Sequence, residues 1–141
     1  MRLALSCANN AFLHNEVPIG AIITDGEKII SEGWNQTETL NDSTAHAEII
    51  AIKNASEKLK NWRLNNLHLF VTVEPCTMCA GAILNSRIST LVFGTSEPNT
   101  GAAGSIYDVF ANSSNPPRII RDVLQKDCQE LMQKFFKARR Q

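Results

Sequence analysis

The pairing of His46-Ala47-Glu48 with Pro75-Cys76-Thr77-Met78-Cys79 constrains this chain more than any other feature. Metal donors in two separate segments are of use only if the fold brings those segments together. One imidazole and two thiolates suit a tetrahedral zinc ion and leave its fourth position for water. A purely structural site normally has a fourth His or Cys. The two remaining cysteines, Cys7 and Cys128, sit on apolar helical faces and read as core residues. The set therefore reads as an open, catalytic centre for one Zn2+, with His46, Cys76 and Cys79 as ligands.

Both segments fall at predicted helix starts. The run Ala45 to Leu59 places Ile49, Ile52, Ala55 and Leu59 on one side, with Ser43 or Thr44 as N-cap, so His46 and Glu48 fall in its first turn. Leu67 to Val73 reads as a buried strand that Pro75 ends, and Cys76 to Asn85 as a packed helix with both cysteines in its first turn. There the positive helix end and a cation both favour thiolate over thiol. Glu48, two residues after His46, need not share the histidine's direction. Its carboxylate is free to reach past the metal toward bound water, as a proton shuttle and not a ligand.

The remaining pattern supplies a frame for these helices. Met1, Leu5, Ala8 and Phe12 mark a first helix, and Ala21 to Thr24 and Lys28 to Ser31 flank an Asp25-Gly26 hairpin turn. Thr90 to Phe93 reads as a strand, Ser96 to Ser105 as a loop, and Leu124, Cys128, Leu131 and Phe135 as a long final helix. Helices alternating with strands imply a three-layer α/β domain with a mixed sheet, in which two helix N-termini converge near one sheet edge.

Composition narrows the classes. At 141 residues, 43% hydrophobic and 20% charged, the sequence fits one domain spanning residues 1–141. Its apolar stretches fall far short of the roughly 20 residues that cross a bilayer, and it lacks a signal-peptide layout, so no membrane partner is expected and the cytoplasm is the expected location. Four unevenly spaced cysteines do not make a disulfide framework. Net charge is zero, so nucleic-acid binding would have to come from local clusters such as Lys134, Lys137, Arg139 and Arg140. That cluster is by default a solvated helix end.

Other readings of the motifs are weaker. A lone CxxC after a buried strand could be a thioredoxin-like redox pair, but the HxE upstream and Thr77-Met78 between the cysteines argue against it. The glycines of Thr100-Gly101-Ala102-Ala103-Gly104-Ser105 lack the lysine of a phosphate-binding loop.

H-x-E followed by P-C-x-x-C is the signature of zinc nucleobase deaminases. Beyond it, Glu16-Val17-Pro18-Ile19-Gly20-Ala21, Gly33-Trp34-Asn35, Val73-Glu74-Pro75, Ser86-Arg87-Ile88, Val92-Phe93-Gly94, Thr100 to Ser105 and Phe135-Phe136 give the chain a near full-length resemblance to the bacterial tRNA adenosine deaminase family. The resemblance implies a three-layer α/β/α cytidine-deaminase-like domain with a mixed sheet of about five strands. It also implies hydrolytic conversion of a wobble adenosine to inosine, one zinc per subunit, a homodimer, and a tRNA anticodon stem-loop as partner. As substrate-contacting residues it implies Asn35, Val17, Ala47, Glu97, Phe136 and Arg139. Two places depart from the family's pattern: Glu97 stands where aspartate is frequent, and Asn115-Pro116-Pro117-Arg118 replaces an Asn-His-Arg run.

Overall fold

Along the chain, α1 (Arg2–Leu13) is followed by β1 (Gly20–Thr24), β2 (Ile29–Trp34), α2 (Ala47–Leu59), β3 (His68–Val73) and α3 (Thr77–Ser86). Then come β4 (Thr90–Thr95), β5 (Arg118–Ile120) and α4 (Gln125–Arg139). This computed structural model describes residues 1–140; Gln141, the last residue of the expected domain, lies outside them.

The strands form one five-stranded sheet in the order β2-β1-β3-β4-β5. β1 is antiparallel to both β2 and β3, whereas β3-β4 and β4-β5 are parallel. It follows that β2 and β3 run the same way with β1 between them. Their C-terminal ends, from which the chain proceeds to α2 and α3, lie at one edge of the sheet. α2 packs on β1 and β2 and against α3, while α1 packs on β1 to β3 and touches α4, which covers β4. Two helical layers thus enclose the expected mixed sheet, over a core that includes Ile23, Leu69, Val71, Leu91 and Phe93.

The two helices that face the hairpin bury mostly small residues: of the periodic faces expected, Ala8 and Ala55 are fully buried and the larger side chains are less so. α2 buries Ala47, Ala51 and Ala55 with Glu48, whereas Ile49 and Ile52 are half-buried and Leu59 is exposed. Likewise α1 buries Ala4, Cys7, Ala8 and Ala11, leaving Met1, Leu5 and Phe12 half-buried. The cause is close approach of backbones. A Cβ on Gly33 would stand 2.5 Å from the Ala47 carbonyl oxygen, and one on Gly20 only 2.1 Å from that of Ala4. Helices seated this near a sheet favour small side chains beneath them.

Other differences are local. The hairpin turn spans Asp25 to Lys28, with the Asp25 carboxylate accepting the amides of Glu27 and Lys28 at 2.9 and 2.7 Å. Strand β5 is only three residues long and follows two prolines, too short for an alternation pattern to mark it. Cys7 and Cys128 are buried in the packing as expected, and burial pushes both thiols up to about 11.

Candidate metal centre

His46 and Cys76 do not lie within their helices; each is the N-cap, with extended backbone at ψ 155° and 178° and no side-chain capping bond. Ser43 and Thr44 lie upstream, where the Asp42 carboxylate instead accepts the amide and hydroxyl of Thr44. The extended N-cap turns each side chain back over the helix entrance. Because both helices begin at the same sheet edge, the two entrances face one another.

His46 Nδ1 lies 3.6 Å from Cys76 Sγ and 3.5 Å from Cys79 Sγ. One ring nitrogen carries one lone pair or one proton and cannot hydrogen-bond well to two sulfurs at once. These spacings do match a tetrahedral ion: bonds of about 2.3 Å to sulfur and about 2.0–2.1 Å to nitrogen separate the donors by about 3.5–3.6 Å. All three donor atoms lie within 4.8 Å of one another, so the residues fit a zinc ion.

The protonation pattern agrees with a cation-binding set. Cys79 hydrogen-bonds to Cys76 and, with His46, holds the Cys76 thiol down to about 4. That same bond, together with burial, pushes Cys79 far up. The hydrogen bond to Cys76 also holds the His46 imidazole above its ordinary value, against burial. Thiol ligands give up their protons on binding a metal, so a Cys76 thiol held low beside a histidine suits such a site. Burial pushes the Glu48 carboxyl up to about 7, against the pull of its own backbone amide and of His46.

Glu48, His46 and Ala47 open onto a cavity of about 260 Å3 lined also by Val17, Ile19, Asn35 and Thr37. It falls just below the ~300–1,000 Å3 of common ligand clefts and suits one flat ring better than an extended ligand. Asn35 is held in place there: its amide nitrogen donates to the Val17 carbonyl at 3.4 Å and its side-chain oxygen accepts the Thr37 amide at 3.3 Å. Val17, Ala47 and Asn35 therefore line one cavity with Glu48 and His46.

The other three candidates lie elsewhere. Glu97 and Phe136 border a separate groove of about 620 Å3, whose wall also carries Lys137 and Arg140. The Glu97 carboxylate accepts the Asn99 amide and the Thr100 hydroxyl of its own loop, at 2.9 and 3.3 Å. Arg139 is not among the residues lining that groove. Its guanidinium donates to the Asn15 carbonyl at 3.0 Å and sits 4.7 Å above the Phe135 ring. The sequence reading missed two buried carboxylates that hold the loops around the site, Glu16 and Glu74. The available signal was an acidic residue directly before a Val-Pro or Pro-Cys turn.

The MafB19-like deaminase family matches residues 1–140. The chain is 46% identical to a tRNA-specific adenosine deaminase of Haemophilus influenzae, over 100% of this chain and 83% of that protein. A solved structure from work on A-to-I editing by tRNA:A34 deaminases at the wobble position superposes with TM-score 0.89 and 40% identity, over 93% of this chain and 96% of that one. A guanine deaminase from Nitrosomonas europaea superposes with TM-score 0.84 at 20% identity, covering 95% of this chain and 81% of that one, and shares the fold.

Proposed function

This chain belongs to the tRNA-specific adenosine deaminases, and we propose that His46, Cys76 and Cys79 hold one zinc ion with which it deaminates the wobble adenosine of a tRNA anticodon to inosine. The observation that carries the zinc assignment is the spacing of one imidazole nitrogen at 3.5–3.6 Å from two sulfurs. Zinc at a three-ligand site supplies a Lewis acid with one open position, which brings the ionisation of water toward neutral pH.

The chain's own residues do the rest. Glu48 accepts a proton from water and delivers it to the ring nitrogen beside the carbon under attack. It then takes the proton of the hydroxyl added to that carbon and gives it to the amino group, so that the carbonyl forms as the C–N bond breaks and water plus adenosine become inosine plus ammonia. Its burial beside the ligands favours this task, because a carboxyl ionising near neutrality both takes and gives a proton readily. Asn35, held by Val17 and Thr37, presents its amide edge to the base, and Val17 and Ala47 supply apolar walls. The cavity takes one unstacked base, as an enzyme acting on a splayed anticodon loop requires. The flanking nucleotides run along the groove bordered by Glu97, Phe136, Lys137 and Arg140, where two cations meet the phosphates.

The protein acts as a homodimer in the cytoplasm. In support of the dimer, the large apolar side chains of Leu59, at the end of α2, and of Trp62, just after it, are exposed. Among the described residues no helix is long and apolar enough to cross a membrane. The deciding experiment incubates zinc-loaded protein with a tRNA bearing adenine at the wobble position, beside free adenosine, cytidine and guanine. Inosine in the tRNA alone supports the assignment, and ammonia from the small molecules without RNA overturns it. A monomer in sedimentation at micromolar concentration overturns the dimer.

A further inference from the structure

Glu74 is left without a task by the chemistry above. Its side chain is buried, and its carboxylate accepts the amides of Glu97, Ala103 and Ser105 at 3.1, 2.9 and 3.1 Å, together with the Ser105 hydroxyl. Among the described residues no cation pairs with it. Every donor comes from the single loop of residues 96–105, so the loop's own N–H and O–H groups solvate a buried charge.

The loop is shaped around this carboxylate. A Cβ on Gly101 would stand 2.5 Å from a Glu74 oxygen, and the Ala102 amide donates to the Pro75 carbonyl at 2.8 Å. On its far side the same loop lines the groove through Ser96, Glu97, Pro98 and Asn99, opposite Phe136 and Lys137. Glu74 therefore joins two things: the turn that delivers Cys76 to the metal centre, and the wall along which the nucleotides beside the target base would lie.

We propose that Glu74 is a positioning residue for RNA capture, locking loop 96–105 in the conformation that presents the groove wall, with no part in the proton transfers at the base. This rests on the tRNA reading above. A loop of this length without its anchor samples many conformations, and RNA then binds only the fraction that is competent, so apparent affinity falls by that fraction. The rate of the bound complex does not.

The test uses the zinc-loaded full chain carrying Glu74→Gln, which turns an amide donor toward the loop's own donors. With an anticodon stem-loop substrate, KM should rise by about tenfold or more while the single-turnover rate at saturation stays within about threefold of the parent. Zinc content should be unchanged, and the amides of Glu97, Ala103 and Ser105 should lose hydrogen-exchange protection while those of α2 keep theirs. An unchanged KM, a loss confined to the saturating rate, or loss of zinc would overturn the proposal. Should Glu74→Gln fail to fold, Gly101→Ala disturbs the same carboxylate from the loop side and must reproduce the KM effect; an unchanged KM there is equally fatal. If the parent itself makes no inosine, the functional reading has failed instead. The exchange pattern, which needs no RNA, then decides by itself whether Glu74 orders the loop.

Discussion

His46 and Cys76 occupy equivalent places in the fold: each is the N-cap of its helix, and Nδ1 of the one lies 3.6 Å from Sγ of the other. An N-cap side chain ordinarily accepts an N–H of the first turn, and neither does so here. Two helix starts give up a local stabilising contact so that their side chains can meet.

This arrangement makes a separable prediction for stability and function. Asparagine suits the extended N-cap backbone of His46 and its side chain reaches the orphan amides, a contact worth about 0.5–2 kcal/mol. Zinc-free His46→Asn is therefore expected to unfold at higher urea than the zinc-free parent, while losing tight zinc binding and turnover. A lower urea midpoint would contradict it.

Glu48→Gln keeps the size and burial of the side chain but removes its capacity to take a proton. The variant should bind one zinc per chain as the parent does and lose turnover by about 10²–10⁴-fold, the usual contribution of a positioned acid–base group. Zinc analysis by elemental emission and single-turnover inosine formation measure the two quantities separately. Retained turnover would assign the proton transfers to another group.

Gly33→Ala should strike the site from a distance. The new methyl would meet the Ala47 carbonyl and the Ala51 amide, both backbone atoms, so α2 must move as a body away from β2. Overpacking of this kind costs about 1–3 kcal/mol, and the helix that shifts carries Ala47 and Glu48. Both the denaturant midpoint and turnover are expected to fall; a variant matching the parent in both would mean the contact relaxes freely.

Glu16 sets a pH dependence of stability. Burial opposes its charge, but the Thr39 hydroxyl and the amides of Thr39 and Glu38, at 2.7, 2.7 and 3.1 Å, hold the carboxyl below its ordinary value. Its folded value therefore lies below the unfolded value of about 4.3. The stability it contributes is complete above the unfolded value and is lost as pH falls through the folded one. Urea midpoints of the parent and Glu16→Gln should differ most near neutral pH and converge in acid. A difference that stays constant with pH would refute the assignment.

The chemistry was more legible than the packing. His46, Glu48, Cys76 and Cys79 announce themselves because few pairs of segments offer this donor set, and Pro75 marks where a strand must stop. Periodicity found α1 and α2 and placed Ala8 and Ala55 inside, but it weights large apolar residues, whereas the close contacts at Gly20 and Gly33 are made by small ones. The N-cap of α2 was misplaced for a related reason: Ser43 and Thr44 have the better local propensity, yet the helix starts at His46, whose side chain meets Cys76 and Cys79 instead. Glu16 and Glu74 went unread because their partners are mostly backbone amides of loops more than twenty residues away, and only their place before a proline turn marks them.

Thirty residues separate His46 from Cys76, and strand β3 lies between them. An ion held by both ends is a cross-link that closes a ring in the chain, and by polymer arithmetic a ring of this size removes roughly 3–4 kcal/mol of entropy from the unfolded ensemble. Metal loading would then act as a fastener between two layers' worth of sequence. Chelation should loosen the docking of α2 against α3 before it melts the sheet beneath them.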